Sequence, residues 1–582
     1  MSASPTIVHP ASAPESSSGK GLKAGALGLV GSVIVGIAST APAYSLAATL
    51  GYVVAGGAGF KAPAIMLLAF IPMYFIAVAY RELNEAEPDC GTTFTWATRA
   101  FGPVVGWMGG WGIIAADVIV MANLAQIAGA YSFTLANELG LHNSLDQSTG
   151  WSTFAGLVWI ALMTYICYRG IEVSARLQYG LLGIEIVTLV VFAVVALAKV
   201  YGGSAPEGSA HPQLSWLWPG GLSMPVLSST VLLAVFIYWG WDTAVSTNEE
   251  ADDPGKTPGR AAVISTLLLL VTYILVSVAA VSFAGVGDSA HGLSNPDNAS
   301  DVFNAIGPTL YGDSMLGKAG LALLAISILT SASASTQTTI LPTARTALSM
   351  AVYKAIPGKF ARIHPRYLTP TWSTIGMGLV SAGFYLLMTA ISPNILAALI
   401  GAIGLQIAFY YGLTGIACAW FYRHSLGSPR HLLNRGIIPL AGGLFLFTMF
   451  VYALKTYAAA DYLTDDAGEN VTIFGIGAVA VVGILSLLFG FVLLAIQRAV
   501  APAYFRGETL PQRSAADLIL AGELPLGVEP VTLPDSREAT VIAPDLGNLP
   551  PGAQAVDPAT GTIYQRRERT AYDPENPDNP PS

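Results

Sequence analysis

The stretch FIYWGWDTAVSTNEEADDP, Phe236 to Pro254, decides how this chain folds. It closes a run from Gly208 to Trp241 that holds no Asp, Glu, Lys or Arg. About 20 apolar residues cross a hydrocarbon core, so this run is long enough to enter a bilayer. Yet Gly240 and Asp242 arrive before a helix begun there has finished its crossing. In lipid every backbone N–H and C=O needs an internal partner, and a break at that depth survives only inside protein or beside a wet cavity. The break therefore marks a site.

The surrounding composition fits a membrane setting. Charged residues are 11% of the 582 and apolar residues 53%, against roughly a quarter charged in soluble domains. Apolar runs cover 24–60, 62–80, 100–137 across Asp117, 147–168, 177–198 across Glu185, 208–241, 261–287, 319–344, 367–422, 436–454 and 470–497. The 367–422 run is too long for one crossing and carries the turn signal Ser392-Pro393-Asn394. Divided there, the chain is predicted to be an all-α polytopic membrane protein with twelve transmembrane helices.

Orientation follows from Lys and Arg, which cytoplasmic loops retain. With the N-terminus inside, only Lys61, Lys199, Lys318 and Lys455 of the 27 cations fall outside. Both termini are thus expected in the cytoplasm and the protein in the plasma membrane. Residues 1–24, rich in Ser, Ala and Pro, and 501–582, ending PENPDNPPS, read as disordered cytosolic tails. Cys90, Cys167 and Cys418 offer no disulfide framework and read as packing residues. The net charge of −9 gives no support for a nucleic-acid role.

A second break precedes the first. GIASTAPAYS, Gly36 to Ser45, lies mid-run in helix 1, where Pro42 lacks an N–H and disfavours a helical Ala41. The two breaks are five crossings apart, and five is odd. A second block of five helices then lies upside down against the first, the pattern of an inverted-repeat transporter with its ligand between the breaks. The expected substrate-binding residues are Gly36, Ile37, Ala38, Ser39, Thr40 and Ala41 with Tyr238, Trp239, Gly240, Trp241 and Asp242. The competing reading of Gly36 and Gly240 is close helix packing.

Three further stretches carry a family resemblance. YWGWDTAVSTNEEADDPGKTPGRAAVIST (238–266), ELNEAEPDCGTTFTWATRAFGPVVGWMGGW (82–111) and STQTTILPTARTALSMAVYKAIPGKFARIHPRYLTPTW (335–372) resemble, in order, the sixth helix and its following loop, the loop from helix 2 into helix 3, and the end of helix 8 in the amino acid-polyamine-organocation (APC) transporter superfamily. The resemblance implies a leucine-transporter fold: helices 1–5 as a first repeat (25–200), helices 6–10 as an inverted second repeat (215–422), and two appended helices (436–500). It also implies transport of amino acids or related amines. The family's first break is usually a Gly-Ser-Gly type loop; this chain has Gly36-Ile37-Ala38-Ser39-Thr40-Ala41-Pro42.

Polar residues inside the membrane are costly and are read as functional candidates. Glu185 lies nine residues past Arg176, roughly 13 Å along a helix. It is a proton-coupling candidate, with a structural hydrogen bond as the other reading. Asp117 is a second such candidate, more readily explained by a buried structural pairing. Thr330, Ser331, Ser333 and Ser335 are candidate ion ligands because the resemblance implies a helix 8 hydroxyl there; hydroxyls also glue helices together. Asp242 is expected chiefly to cap the restarted helix, and Trp239 or Trp241 to line the pocket, where aromatic faces suit cations.

Metal-protease, glycine-elbow and P-loop signatures do not occur. No enzyme activity, cofactor or metal is expected. The partners are a small solute and the lipid bilayer, and the expected function is secondary active transport, proton-coupled or by exchange. A channel or a non-transporting sensor of the same fold is the alternative.

Overall fold

The computed structural model describes residues 19–141, 144–145, 148–391, 395–463 and 470–520, with short strand segments at 531–532, 538–539, 554–556 and 563–565. Ser392-Pro393-Asn394, residues 1–18 and most of 521–582 lie outside the described residues. The described residues are mostly helical, with a short antiparallel pair at Thr472–Ile473 and Ile476–Gly477. Helix α1 (Leu29–Ser39) and α2 (Pro42–Val53) are followed by π and 3₁₀ turns (Val54–Lys61) that reverse the chain into α3 (Ala62–Ala86). Then come α4 (Thr93–Phe101), α5 (Pro103–Glu138), α6 (Thr149–Arg169) and α7 (Ile171–Tyr201). The second half holds α8 (Met224–Ile237), α9 (Thr243–Ser246), α10 (Thr257–Ala284), α11 (Val302–Tyr311), α12 (Met315–Val352), α13 (Thr371–Ile391) and α14 (Ile395–Phe421). After them follow α15 (Pro429–His431), α16 (Ile438–Tyr457), α17 (Ala478–Val500) and α18 (Ala515–Leu520).

Ten described segments are long and apolar enough to cross a membrane. The first, Leu29–Ala86, takes in α1, α2 and α3, while α8 is shorter. The twelve crossings read from the sequence count that first segment twice and include α8. Breakers set the element ends. Ala41 stands in the left-handed region at φ 47°, and Pro42, at the first position of α2, keeps it out of the right-handed helix. Ser223 caps α8 by accepting from the Val226 N–H, with Pro225 in the first turn.

The core is built on α5 and α12, which pack along each other and gather α6, α7, α13 and α14 around them; α10 runs along α3, α1 and α7. Small residues bring backbones together, since between helices in lipid van der Waals contact replaces the hydrophobic effect. A Cβ at Gly129 of α5 would sit 2.0 Å from the Ser152 carbonyl oxygen, and one at Gly156 of α6 would sit 2.4 Å from that of Ala125.

Two tail assignments differ from the sequence reading. Residues 19–24 are docked, with Leu22 fully buried beside Cys90 and Leu348. Residues 501–520 are also packed. The Tyr504 hydroxyl bonds Thr98 Oγ1 at 2.7 Å and donates to the Pro103 carbonyl at 3.0 Å, and Leu510 and Leu518 are buried. The apolar residues doing this are few, and the polar composition averaged over the tail hides them.

Gly156→Leu is expected to force α5 and α6 apart and destabilise the protein by about 1–3 kcal/mol. Thermal unfolding of the purified protein in detergent, followed by intrinsic fluorescence, checks this. Gly183→Ala, where a Cβ meets open space, should leave the midpoint nearly unmoved, and equal effects would refute the packing account.

Candidate functional site

The two breaks meet back to back. Gly240 has φ 118°, a conformation other residues rarely adopt, and a Cβ there would lie 2.7 Å from the Ser39 carbonyl oxygen. Ser39 Oγ and Thr243 Oγ1 bond across the junction at 2.9 Å. Gly36 lies inside α1, where a Cβ would be 2.8 Å from Ser265 Oγ and 3.3 Å from the Trp241 carbonyl. Its smallness serves packing, and the break itself falls at Thr40 and Ala41. Ile37, Ala38, Ser39, Thr40 and Ala41 are all buried.

Side chains take up the peptide groups that the first break frees. Glu185 Oε1 accepts from the Ala43 N–H at 2.7 Å and from Ser331 Oγ at 2.7 Å. Ser331 Oγ in turn accepts from the Tyr44 N–H at 3.1 Å. Ser335 Oγ donates to the Ser39 carbonyl at 2.9 Å, and Ser45 Oγ to that of Thr40 at 2.6 Å. Ser331 and Ser335 are four residues apart and so share one face of α12. Of the four candidate ion ligands these two reach the break. Thr330 bonds the carbonyl of Ser327 in its own helix, and Ser333 Oγ is buried without a partner. Glu185 Oε2 is likewise buried without a partner.

The second break holds a different polar group. Asp242 begins α9, yet its carboxylate makes no capping bond. Instead it accepts from the hydroxyls of Tyr411 at 2.9 Å and Tyr410 at 3.1 Å. The capping expectation fails because α14 brings two phenols to the carboxylate, and such donors bind an anion as well as an N–H does. Trp239 donates its indole N–H to Tyr410. The Trp241 ring packs edge-on against Tyr80 and tilted on Tyr411, both at 5.2 Å. Tyr238 stacks edge-on with Tyr273, whose hydroxyl caps the end of α8 at the Ile237 carbonyl, 2.6 Å away. Asp117 accepts from Thr343 Oγ1 at 2.5 Å, the buried pairing expected of it, and Asn123 accepts from the Tyr44 hydroxyl.

Tyr273, Tyr410 and Tyr411 were not among the expected site residues. The signal was the doublet Tyr410-Tyr411 inside an uncharged run, where two phenols each need a partner.

Near the end of α12 a charged cluster ties that helix to the loops. Lys20 Nζ pairs with Asp89 at 2.7 Å and with Glu249, and lies over the Tyr353 ring. Asp89 also accepts from Ser349 and Tyr353 at 2.7 and 2.9 Å. Arg345 grips Glu250 with two bonds, 2.6 and 2.9 Å, both side chains buried. Ligand atoms of Asp89, Cys90 and Glu249 lie within 4.8 Å of one another, and the Lys20 ammonium supplies the cation at that place. Burial pushes the Asp89 carboxyl up, but the Lys20 charge and the donated hydrogen bonds outweigh it and hold the group at about 2. Burial pulls Lys20 down, and the opposing charges of Asp89, Cys90 and Glu249 raise it above its ordinary value.

The signs fix where this cluster is stable. The depressed Asp89 contributes fully above the ordinary carboxylate range and loses its contribution as pH falls toward about 2. The raised Lys20 contributes fully below its ordinary value of about 10.4 and loses it only above that. Lys20→Met is therefore expected to cost about 3–5 kcal/mol by stranding buried carboxylates. The resulting drop in thermal midpoint should be greatest at neutral and higher pH and shrink as pH falls, because burial raises the stranded Asp89 carboxyl and lets it take up a proton; a drop that grows toward low pH would contradict this assignment.

The chain matches the amino acid permease family over residues 25–502. It is 27% identical over 239 residues to a branched-chain amino acid permease of Lactococcus lactis, covering 38% of this chain and 50% of that protein. An uncharacterized transporter of Mycobacterium tuberculosis is 26% identical over 461 residues, 78% of this chain and 90% of the relative. The methylthioribose transporter of Bacillus subtilis is 24% identical over 340 residues, 57% and 68% of the two chains.

Proposed function

The chain belongs to the amino acid permease family, and on that premise we propose that it is a secondary active transporter moving amino acids or related amines across the plasma membrane by alternating access. In this reading twelve helices form two inverted five-helix repeats plus two, with both termini cytoplasmic. The solute sits where the breaks meet, between Ser39–Ala41 and Tyr238–Asp242. The observation that carries the proposal is the contact of the Gly240 backbone with the Ser39 carbonyl. Two interrupted helices that touch at their interruptions concentrate peptide groups at one buried place, which continuous helices do not.

Glu185 is the coupling group in this reading. Its Oε1 already serves the Ala43 N–H and Ser331, while Oε2 has no partner. A proton on Oε2 thus leaves both existing bonds intact and removes a buried charge. Loss of that proton strengthens the pull on the Ala43 N–H, next to the break. Proton binding and the geometry of the solute seat are then linked through one bond. Exchange without a proton is the competing mode, and Glu185 would then serve only to hold the break.

Counterflow in proteoliposomes tests the transporter reading: saturable exchange of labelled amino acid or amine is expected, and conductive flux or binding without flux would reject it. A thermal-shift series against amino acids, polyamines and small amines names the class, because only a bound solute raises the midpoint with concentration. Glu185→Gln keeps the shape of the side chain and is expected to abolish the pH dependence of uptake between about pH 5 and 8 while leaving solute-induced stabilisation in place. A Glu185→Gln variant with the parental rate and pH profile would sink the coupling role.

A further inference from the structure

A cavity of about 250 Å³ lies where the last turn of α3, the start of α10 and α15 come together. Its charged lining is Arg81, Lys256, Arg260 and Arg430 against Glu82 and Glu85. Glu82 is already spent. Arg81 donates to it at 2.7 Å and Arg435 at 2.9 Å. Lys256 lies 4.0 Å from Asp253. The guanidinium groups of Arg260 and Arg430 make no hydrogen bond or ion pair among the described residues. One remaining carboxylate, Glu85, faces two unpaired guanidinium groups, so the cavity holds surplus positive charge.

The walls are fixed in place. A Cβ at Gly259 would come 2.9 Å from the Arg81 Cα, so the backbones of α3 and α10 touch there and set Arg81 beside Arg260. Asn84 donates to the carbonyls of Pro254 and Gly255 at 2.7 and 3.1 Å and ties the loop to α3. The cavity sits at helix ends, where spans leave the bilayer. Exposed Leu432, Leu433 and Ile437 follow directly after Arg430, and exposed Leu267 and Leu268 lie two turns along α10 from Arg260. Cationic forks with apolar flanks match a phosphate that carries hydrocarbon chains.

We propose that this cavity binds the phosphate of an anionic phospholipid, with Arg260 and Arg430 as the principal ligands and Arg81 and Lys256 beside them. The acyl chains lie along the exposed leucines. A soluble phosphate shares the same chemistry, and the measurement separates the two sources.

The test uses the full-length chain, purified and stripped of lipid, in native mass spectrometry and thermal-shift titrations. Phosphatidylglycerol is expected to stay bound and to raise the midpoint, while phosphatidylcholine and inorganic phosphate at millimolar concentration do far less. Each basic side chain near an anionic surface is worth about fivefold in binding, so R260Q/R430Q should weaken phosphatidylglycerol binding about 25-fold. The paired control R362Q/R366Q removes the same charge elsewhere and should leave binding unchanged. Equal weakening in both double variants would show non-specific charge attraction and overturn the site. Stabilisation by inorganic phosphate equal to that by the lipid, lost in R260Q/R430Q, would assign the cavity to a soluble anion and overturn the lipid. Undiminished phosphatidylglycerol binding by R260Q/R430Q, with its lipid-free midpoint intact, would refute the proposal outright.

Discussion

A peptide group without a partner in hydrocarbon costs several kcal/mol, and this constraint governs how the protein is put together. Two helices stop short, at Thr40–Ala41 and at Tyr238–Asp242. Each stop is supported by side chains from helices distant in sequence. Glu185 from α7, Ser331 and Ser335 from α12 and Tyr273 from α10 converge on the freed N–H and C=O groups. Remove that support and the breaks would have to rewind or let in water. Part of the polar content of the apolar runs is therefore gathered at these two points, while pairs such as Asp117 with Thr343 and Gln406 with Ser486 tie helices together elsewhere.

Much of this was legible because breakers act locally. Pro42 bars a right-handed helical Ala41 before it, and Gly240 alone of its neighbours tolerates φ 118°. The family was legible from three motifs, and the match over residues 25–502 bears it out. Partners were not legible, since a sequence fixes which residue is polar but not what faces it. Asp242 looked like a cap because it starts a helix; only the packing of α14 shows the two phenols that occupy it. Gly36 looked like part of the break because it opens the motif, whereas its role depends on Ser265, over 200 residues away in sequence. Lys20 was assigned to a tail by the composition around it, and its three carboxylate and aromatic neighbours belong to separate loops.

The charged cluster near the end of α12 differs in kind from the polar groups at the breaks. Its members are ion pairs and bidentate grips, buried and satisfied, as in Arg345 with Glu250, so that losing either partner would strand a buried charge. The groups at the breaks include atoms left over, Glu185 Oε2 and the Trp241 indole nitrogen among them. Saturated contacts hold one arrangement of the loops. Unsaturated ones wait for something further.

The segment after α17 joins elements that the chain reaches at quite different times. Between Tyr504 and Arg513 it grips Thr98, Arg99 and Ala100 on α4, Pro103 at the start of α5, and Tyr353 at the end of α12. A clasp of that kind lets its anchor points travel only in company. In the alternating-access reading proposed above, α4, the foot of α5 and the foot of α12 would ride together as a single block, leaving the hinge to be found among the helices the clasp does not hold.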